Sequence, residues 1–203
     1  MSKQRSVEFV KSAASLEDFP SDGLIEVAVV GRSNVGKSSL LNRLTGVKKL
    51  AFVSKTPGRT QLINFFRVDS DMYLADLPGY GFAKVPERVR KNWERLISSY
   101  LFDRAELKLA LLLVDMRRDP MASDLQVRDL LTDAGVPIVV VATKADKLSG
   151  NKRAQQMSKL AKAFGTGPAG ALLSFSAVTN EGRKELWTVI ENQTRPAKRA
   201  PKT

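Results

Sequence analysis

The chain has 203 residues, 43% of them hydrophobic, enough for one substantial core and too few for two comfortable nucleotide-processing domains. It contains no cysteine and no histidine, which excludes disulfides, thiolate or imidazole metal sites and Ser-His hydrolase chemistry; any catalysis must run on carboxylates, lysine, backbone amides or a bound metal. A formal charge of +12 points to a polyanionic partner such as RNA, against the plainer reading of a solvated basic surface, and the lack of a long apolar run predicts a cytoplasmic protein without a membrane span.

Residues 1–21 read as a polar N-terminal arm, 22–194 as one domain, and 195–203 as a basic tail with nothing to bury, disordered when free. Leu24–Val30 predicts a strand, and a helix starting near Lys37 carries Leu40, Leu41 and Leu44 on one face. Leu62–Val68 and Met72–Asp76 predict two strands joined through the turn-like cluster Asp69, Ser70 and Asp71, hence a hairpin. After Pro86, the residues Val89, Trp93, Leu96, Ile97 and Tyr100 recur at helical spacing, with Trp93 read as core rather than as a stacking platform. Leu107–Asp115, Pro137–Thr143 and Ala171–Ala177 are near-continuous apolar runs of the kind that a parallel sheet buries on both faces. Helices are expected near Ser123–Asp133, Lys152–Phe164 and Arg183–Gln193. The alternation predicts a three-layer α/β fold: a mostly parallel central sheet with one antiparallel strand, helices on both faces, and ligands at the carboxyl ends of the strands.

Between the first strand and its helix stand Gly31, Arg32, Ser33, Asn34, Val35, Gly36, Lys37 and Ser38, which fit G-x-x-x-x-G-K-[ST] at every fixed position. This is the phosphate loop of a P-loop NTPase: successive N–H groups and the helix start face phosphate oxygens, Lys37 reaches the β- and γ-phosphates, and the Ser38 hydroxyl binds Mg²⁺. Asp76, Leu77, Pro78 and Gly79 end a later strand; the Asp76 carboxylate can hold Mg²⁺ through a water and the Gly79 N–H can sense the γ-phosphate. The base is chosen by Thr143, Lys144, Ala145 and Asp146. A carboxylate at Asp146 can accept from both N1–H and N2–H₂ of guanine, a donor pair that adenine lacks, and the Lys144 stem can lie across the base. Phe175, Ser176 and Ala177 end the last apolar run and offer a backbone N–H for guanine O6. A second switch needs a threonine that completes the magnesium shell; of Thr56 and Thr60, the latter directly precedes a strand and is preferred, with Pro57 and Gly58 as flexible elements.

GRSNVGKSSLLN, TPGRTQ, DLPGYG, TKAD and FSA, in that order over Gly31–Ala177, resemble the EngB family of bacterial GTPases, and TPGRTQ followed by DLPGYGFA separates that family from other small GTPases. The resemblance extends over most of the chain. It implies a small-GTPase-like fold, GTP binding and Mg²⁺-dependent hydrolysis, with Lys37 and Thr60 catalytic and Ser38 and Thr60 on the metal. It adds Gly58, Arg59, Thr60, Gln61 and Leu62 to the nucleotide contacts. It also implies a monomer acting in late assembly of the large ribosomal subunit, with ribosomal RNA and the subunit precursor as partners, and a requirement in cell division and septation.

Tyr80 stands where a Ras-like enzyme carries a water-orienting glutamine, so intrinsic hydrolysis is expected to be slow. The Asn34 side chain either coordinates a K⁺ ion in place of an arginine finger or caps its own loop backbone; both readings are open. Two other classes compete with a GTP switch. An ATP-using P-loop kinase is opposed by TKAD, and a plain RNA-binding module lacks any recognisable RNA-binding motif.

Overall fold

A computed structural model of the chain describes residues 5–47, 50, 62–80, 87–165 and 171–194, with backbone alone for 87–93. Seven strands, β1 (Val7–Ala13), β2 (Ile25–Gly31), β3 (Ile63–Val68), β4 (Met72–Asp76), β5 (Leu107–Asp115), β6 (Ile138–Thr143) and β7 (Ala171–Ser174), form one sheet in the order β1-β3-β4-β2-β5-β6-β7. Five helices accompany them: α1 (Lys37–Thr45), α2 (Glu87–Asp103), α3 (Ala122–Asp133), α4 (Gly150–Phe164) and α5 (Arg183–Thr194). β3 is antiparallel to both neighbours and the remaining pairs are parallel, which matches the expected sheet with one reversed strand.

The apolar runs sort by parity. Val27, Val29, Leu109, Leu111, Leu113, Val139 and Val141 face one way, against Leu40, Leu41 and Leu44 of α1 and Leu186 and Ile190 of α5. Ala28, Val30, Ala110, Leu112, Val114, Val140 and Ala142 face the other, against Leu96, Ile97 and Tyr100 of α2, Leu131 of α3 and Leu160 of α4. Each central strand is therefore covered on both sides, which is why its sequence lacks alternation. β7 departs from that expectation: it ends at Ser174, lies at the sheet margin and is only half-buried. The chain leaves the sheet at Phe175 to build the loop described below.

Residues 7–13, within the arm expected over 1–21, extend the sheet as β1. This strand pairs with β3 around a bulge between Phe9 and Lys11 and leaves Phe9 and Val10 exposed. Its pairing is fixed by cross-strand contacts: Arg67 Nε donates to Glu8 at 2.9 Å, the Phe9 and Phe66 rings meet edge to face at 5.8 Å, and Ser12 Oγ donates to Asn64 Oδ1 at 2.6 Å. Across the β3–β4 turn, Asp69 takes a positive φ of 50° and accepts from the Ser6 N–H at 2.9 Å. Among the described residues no helix is long and apolar enough to cross a membrane. Trp93, the expected Pro57–Gly58 hinge, Thr56 and the tail 195–203 lie outside the described residues or side chains.

Strand register brings four carboxyl ends together. Val29 is level with Asp76, Gly31 with Leu113, and Asp115 with Thr143, while the antiparallel β3 begins at the same end, with Asn64 opposite Asp76.

Candidate nucleotide site

The turn out of β2 is forced by its glycines. A Cβ at Gly31 would stand 2.8 Å from Val35 Cγ1 and 3.1 Å from the Leu113 carbonyl, so only glycine lets the loop fold back on the strand. Gly36 has φ +113° and caps α1, whose first internal hydrogen bond runs from the Leu40 N–H to the Gly36 carbonyl at 2.8 Å. The amide groups of the first helical turn thus have no acceptor within the helix and project from its positive end. Val35 is buried in the core and anchors the loop, while Asn34, with φ +62°, is exposed. Thr143 locks the loop from the other side: its buried hydroxyl reaches both the Val35 carbonyl at 2.7 Å and the Val114 carbonyl at 3.0 Å.

Asp76 closes β4 beside this loop. Burial pushes its carboxyl up to about 6, against the opposing pull of the Lys37 ammonium and an Asn64 side-chain hydrogen bond, and its Oδ1 is buried without a partner among the described residues. A buried carboxylate oxygen left bare is the kind of group that a cation or an ordered water satisfies. Among the described residues no three acidic side chains gather as a metal cage. The donor set of Ser38, Asp76 and ligand phosphates fits Mg²⁺, which keeps several waters and takes few protein ligands.

Leu77 and Pro78 are buried, the Leu77 N–H donating to the Val29 carbonyl at 3.1 Å. The next residues are pressed against the phosphate loop. A Cβ at Gly79 would lie 2.8 Å from Ser33 Oγ, and the Ser33 N–H donates to the Tyr80 carbonyl at 3.2 Å. Tyr80 is itself buried, its hydroxyl donating to Asp124 of α3 at 2.8 Å; burial and that carboxylate together push the phenol far up. The Arg32 guanidinium lies against the Met121 sulfur rather than towards the loop's concave side.

The side of the site that carries Thr143–Asp146 is built on a tight turn. Lys144 takes a left-handed φ of 61° and caps the short helical turn Ala145–Lys147 that carries Asp146. The Ala145 N–H donates to the Phe175 carbonyl at 3.2 Å and the Phe175 N–H to Ala142 at 2.8 Å, so Phe175 serves through its backbone while its ring fills the core. Ser176 Oγ donates to Asp146 Oδ1 at 2.8 Å and accepts the N–H groups of Val178 and Thr179, both at 3.2 Å. This bond, more than any other contact, holds the Asp146 carboxyl below its ordinary range. The Ser176 N–H is taken by the Glu181 carbonyl at 3.1 Å. The sequence had suggested only a backbone donor at this loop; the side chain of Ser176, in place to orient Asp146, is an addition from the structure.

Three more residues join the site without having been read from the sequence. They are Asp115 at the end of β5, Arg117 just beyond it, and Asp124. The available signal was a charged residue closing a buried strand. A cleft of about 210 Å³, lined in part by Arg32, Asn34, Asp115, Arg117, Met121 and Lys144, opens beside the phosphate loop. Leu62 is described and exposed, whereas Gly58, Arg59, Thr60 and Gln61 lie outside the described residues.

A strand, phosphate loop and helix joined at one sheet end to a turn carrying Thr143–Asp146 define a P-loop nucleotide-binding protein of the GTPase class. Comparison agrees. A family profile described as "50S ribosome-binding GTPase" matches residues 26–144. The chain is 50% identical over 188 residues, 93% of its length and 95% of the relative's, to the probable GTP-binding protein EngB of Pelotomaculum thermopropionicum. It is 47% identical over 186 residues, 92% and 90% of the two chains, to that of Geobacter sulfurreducens. A crystal structure of a probable GTP-binding protein EngB superposes with a TM-score of 0.67 at 26% identity, covering 82% of this chain and 97% of that one. Era bound to MgGDPNP and a segment of 16S ribosomal RNA superposes at 0.67 with 21% identity, over 87% of this chain and 59% of that one, a likeness of fold alone. The chain belongs to the EngB family of GTP-binding proteins and is a P-loop GTPase.

Proposed function

We propose that this GTPase is a Mg²⁺-dependent switch acting in assembly of the large ribosomal subunit. The observation that carries the reading is the convergence of the Gly31–Ser38 loop, the bare Asp76 carboxylate oxygen and the Thr143–Asp146 turn at one end of the sheet. In this reading Lys37 and the amides of Gly36, Lys37 and Ser38 hold the triphosphate, the Ser33 and Val35 N–H groups being taken by the Tyr80 and Arg32 carbonyls, Ser38 and Asp76 hold the metal, and the Gly79 N–H senses the γ-phosphate. Asp146, oriented by Ser176, accepts from guanine N1–H and N2–H₂, and Ala177 supplies the donor to O6. When bound, Mg²⁺ neutralises charge developing on the β- and γ-oxygens. Thr60, with Gly58, Arg59, Gln61 and Leu62, would complete the nucleotide contacts and the metal shell.

Turnover is slow without a partner, because the Tyr80 hydroxyl is committed to Asp124 and does not replace a water-orienting amide. The +12 charge favours ribosomal RNA and the subunit precursor as partners, in keeping with the description of the matching family. A monomeric, cytoplasmic role in ribosome assembly would make cell division and septation sensitive to its loss. The exposed Asn34 leaves room for a K⁺ ion near the phosphates; hydrolysis faster in K⁺ than in Na⁺ is the expected sign, and equal rates remove that ion from the account.

The deciding experiment is sedimentation with ribosomal subunits in GTP-analogue and GDP states across a salt series, with Lys37→Ala as the nucleotide-blind control. Association with the large subunit should follow GTP and weaken with salt. Binding indifferent to nucleotide would falsify the switch.

A further inference from the structure

Asp115 has no part in the reading above, yet it is tied to the residue that would carry the purine. Lys144 Nζ donates at 2.7 Å to the Asn34 carbonyl of the phosphate loop and at 2.8 Å to Asp115 Oδ2. The Asp115 carboxylate also accepts from Arg117: Oδ1 from Nε at 2.9 Å and from the backbone N–H at 3.1 Å, and Oδ2 from Nη2 at 2.7 Å. Its side chain is only 11% exposed, against 26% for Lys144 and 43% for Arg117, so the lysine is the more sheltered of its two cations. Burial alone would raise this carboxyl; the hydrogen bonds from Arg117 and Lys144 outweigh it and keep the group ionised.

The geometry points to Asp115 as a positioning residue for guanine recognition, acting through Lys144. An ammonium held at two points draws its four-carbon stem into one path. Lys144 is also the cap of the turn that carries Asp146, and its left-handed backbone leaves little freedom to compensate. Asp115 and Thr143 are level neighbours on β5 and β6, so the carboxylate is placed by the sheet itself and not by a loop. A single carboxylate thereby fixes the end of β5, the phosphate loop and the base-reading turn in one arrangement before nucleotide arrives. Preorganisation of this kind lowers the ordering cost of binding, and it does so for GDP and GTP alike, because both carry the same base.

The inference rests on Lys144 and Asp146 holding the guanine, and its test keeps the two apart. Affinity for GDP and for a non-hydrolysable GTP analogue is measured by calorimetry on the full chain for Asp115→Asn, Lys144→Met and the double variant, with thermal melting of each. Lys144→Met keeps an apolar stem and removes the ammonium. Asp115→Asn should weaken both nucleotides about tenfold, the scale of one charge-assisted hydrogen bond, and should add nothing once residue 144 is methionine. A structural lesion would multiply with Lys144→Met instead, and that result overturns the inference. So does Arg117→Ala matching Asp115→Asn, since Asp115 would then act by ordering its own loop. Should Asp115→Asn fail to fold, Asp115→Ser replaces it, and wild-type affinity in Lys144→Met alone is equally fatal. Asp146→Asn tests the guanine reading separately, because an amide there should turn preference from guanine towards xanthine, whose C2 carbonyl accepts where guanine donates.

Discussion

The two ends of the sheet each bury a carboxylate, and the two differ in the cation that stands beside them. At the entry of β2, Glu26 is fully buried and its Oε1 accepts Arg104 Nε at 3.0 Å, with the Arg104 guanidinium itself only 14% exposed. Arg104 also donates to the Pro20 carbonyl at 2.5 Å and lies 5.6 Å from the centre of the Phe19 ring, so one cation stitches the chain before β2 to the segment after α2. At the exit of β4, Asp76 is buried too, and the cation that pulls on it is the Lys37 ammonium, at the start of α1. Burial raises both carboxyls. The first has a resident guanidinium and belongs to the architecture; beside the second no guanidinium stands among the described residues, and a buried carboxylate of that kind is one that a bound cation would complete.

That contrast predicts opposite responses to neutralising one group at each end. Arg104→Ala should be the most damaging, because it leaves the Glu26 carboxylate in a dry pocket without its cation, and should lower the unfolding free energy by about 3–5 kcal/mol in urea melts. Asp76→Asn should instead stabilise the nucleotide-free protein at pH 8, by up to about 3 kcal/mol, because it removes a charge that the fold disfavours. The same variant should cut Mg²⁺-dependent GTP hydrolysis roughly 10–100-fold. If the two variants destabilise equally, the distinction between the two ends is lost.

The pH dependence sharpens it. A carboxyl whose folded value is raised to about 6 contributes stability that is complete below its ordinary value near 3.8 and disappears as pH rises through 6. Glu26 shifts in the same direction, so the measure is the difference between wild type and Asp76→Asn; it should change between pH 4 and 6 and be flat above pH 7. Smallest is Tyr80→Phe, which removes the donor to Asp124 and should cost about 1–2 kcal/mol in thermal or chemical melts, with no change in the pH slope assigned to Asp76.

The central sheet was legible because its strands are buried on both faces, and β5 falls on Leu107–Asp115 as read. The phosphate loop and the Thr143–Asp146 turn were legible because each is contiguous and demands particular residue types. β1 was not: Val7–Ala13 is mostly half-buried or exposed, leaves Phe9 outside, and exists through pairing with β3, fifty or more residues later, so no local pattern announces it. Asp115, Asp124 and the Ser176 side chain escaped for a related reason. Their roles arise from partners brought near by strand register and by α3, and a lone aspartate or serine in sequence carries no record of what will face it.

The bulge between Phe9 and Lys11 has a consequence for how molecules meet one another in a crowded cell. A flat outermost strand would present evenly spaced amides and carbonyls to which another copy could zip. Here the extra residue breaks that spacing midway, and Glu8 and Lys11 flank the break with charge. The rim of the sheet is thereby a poor template for stacking.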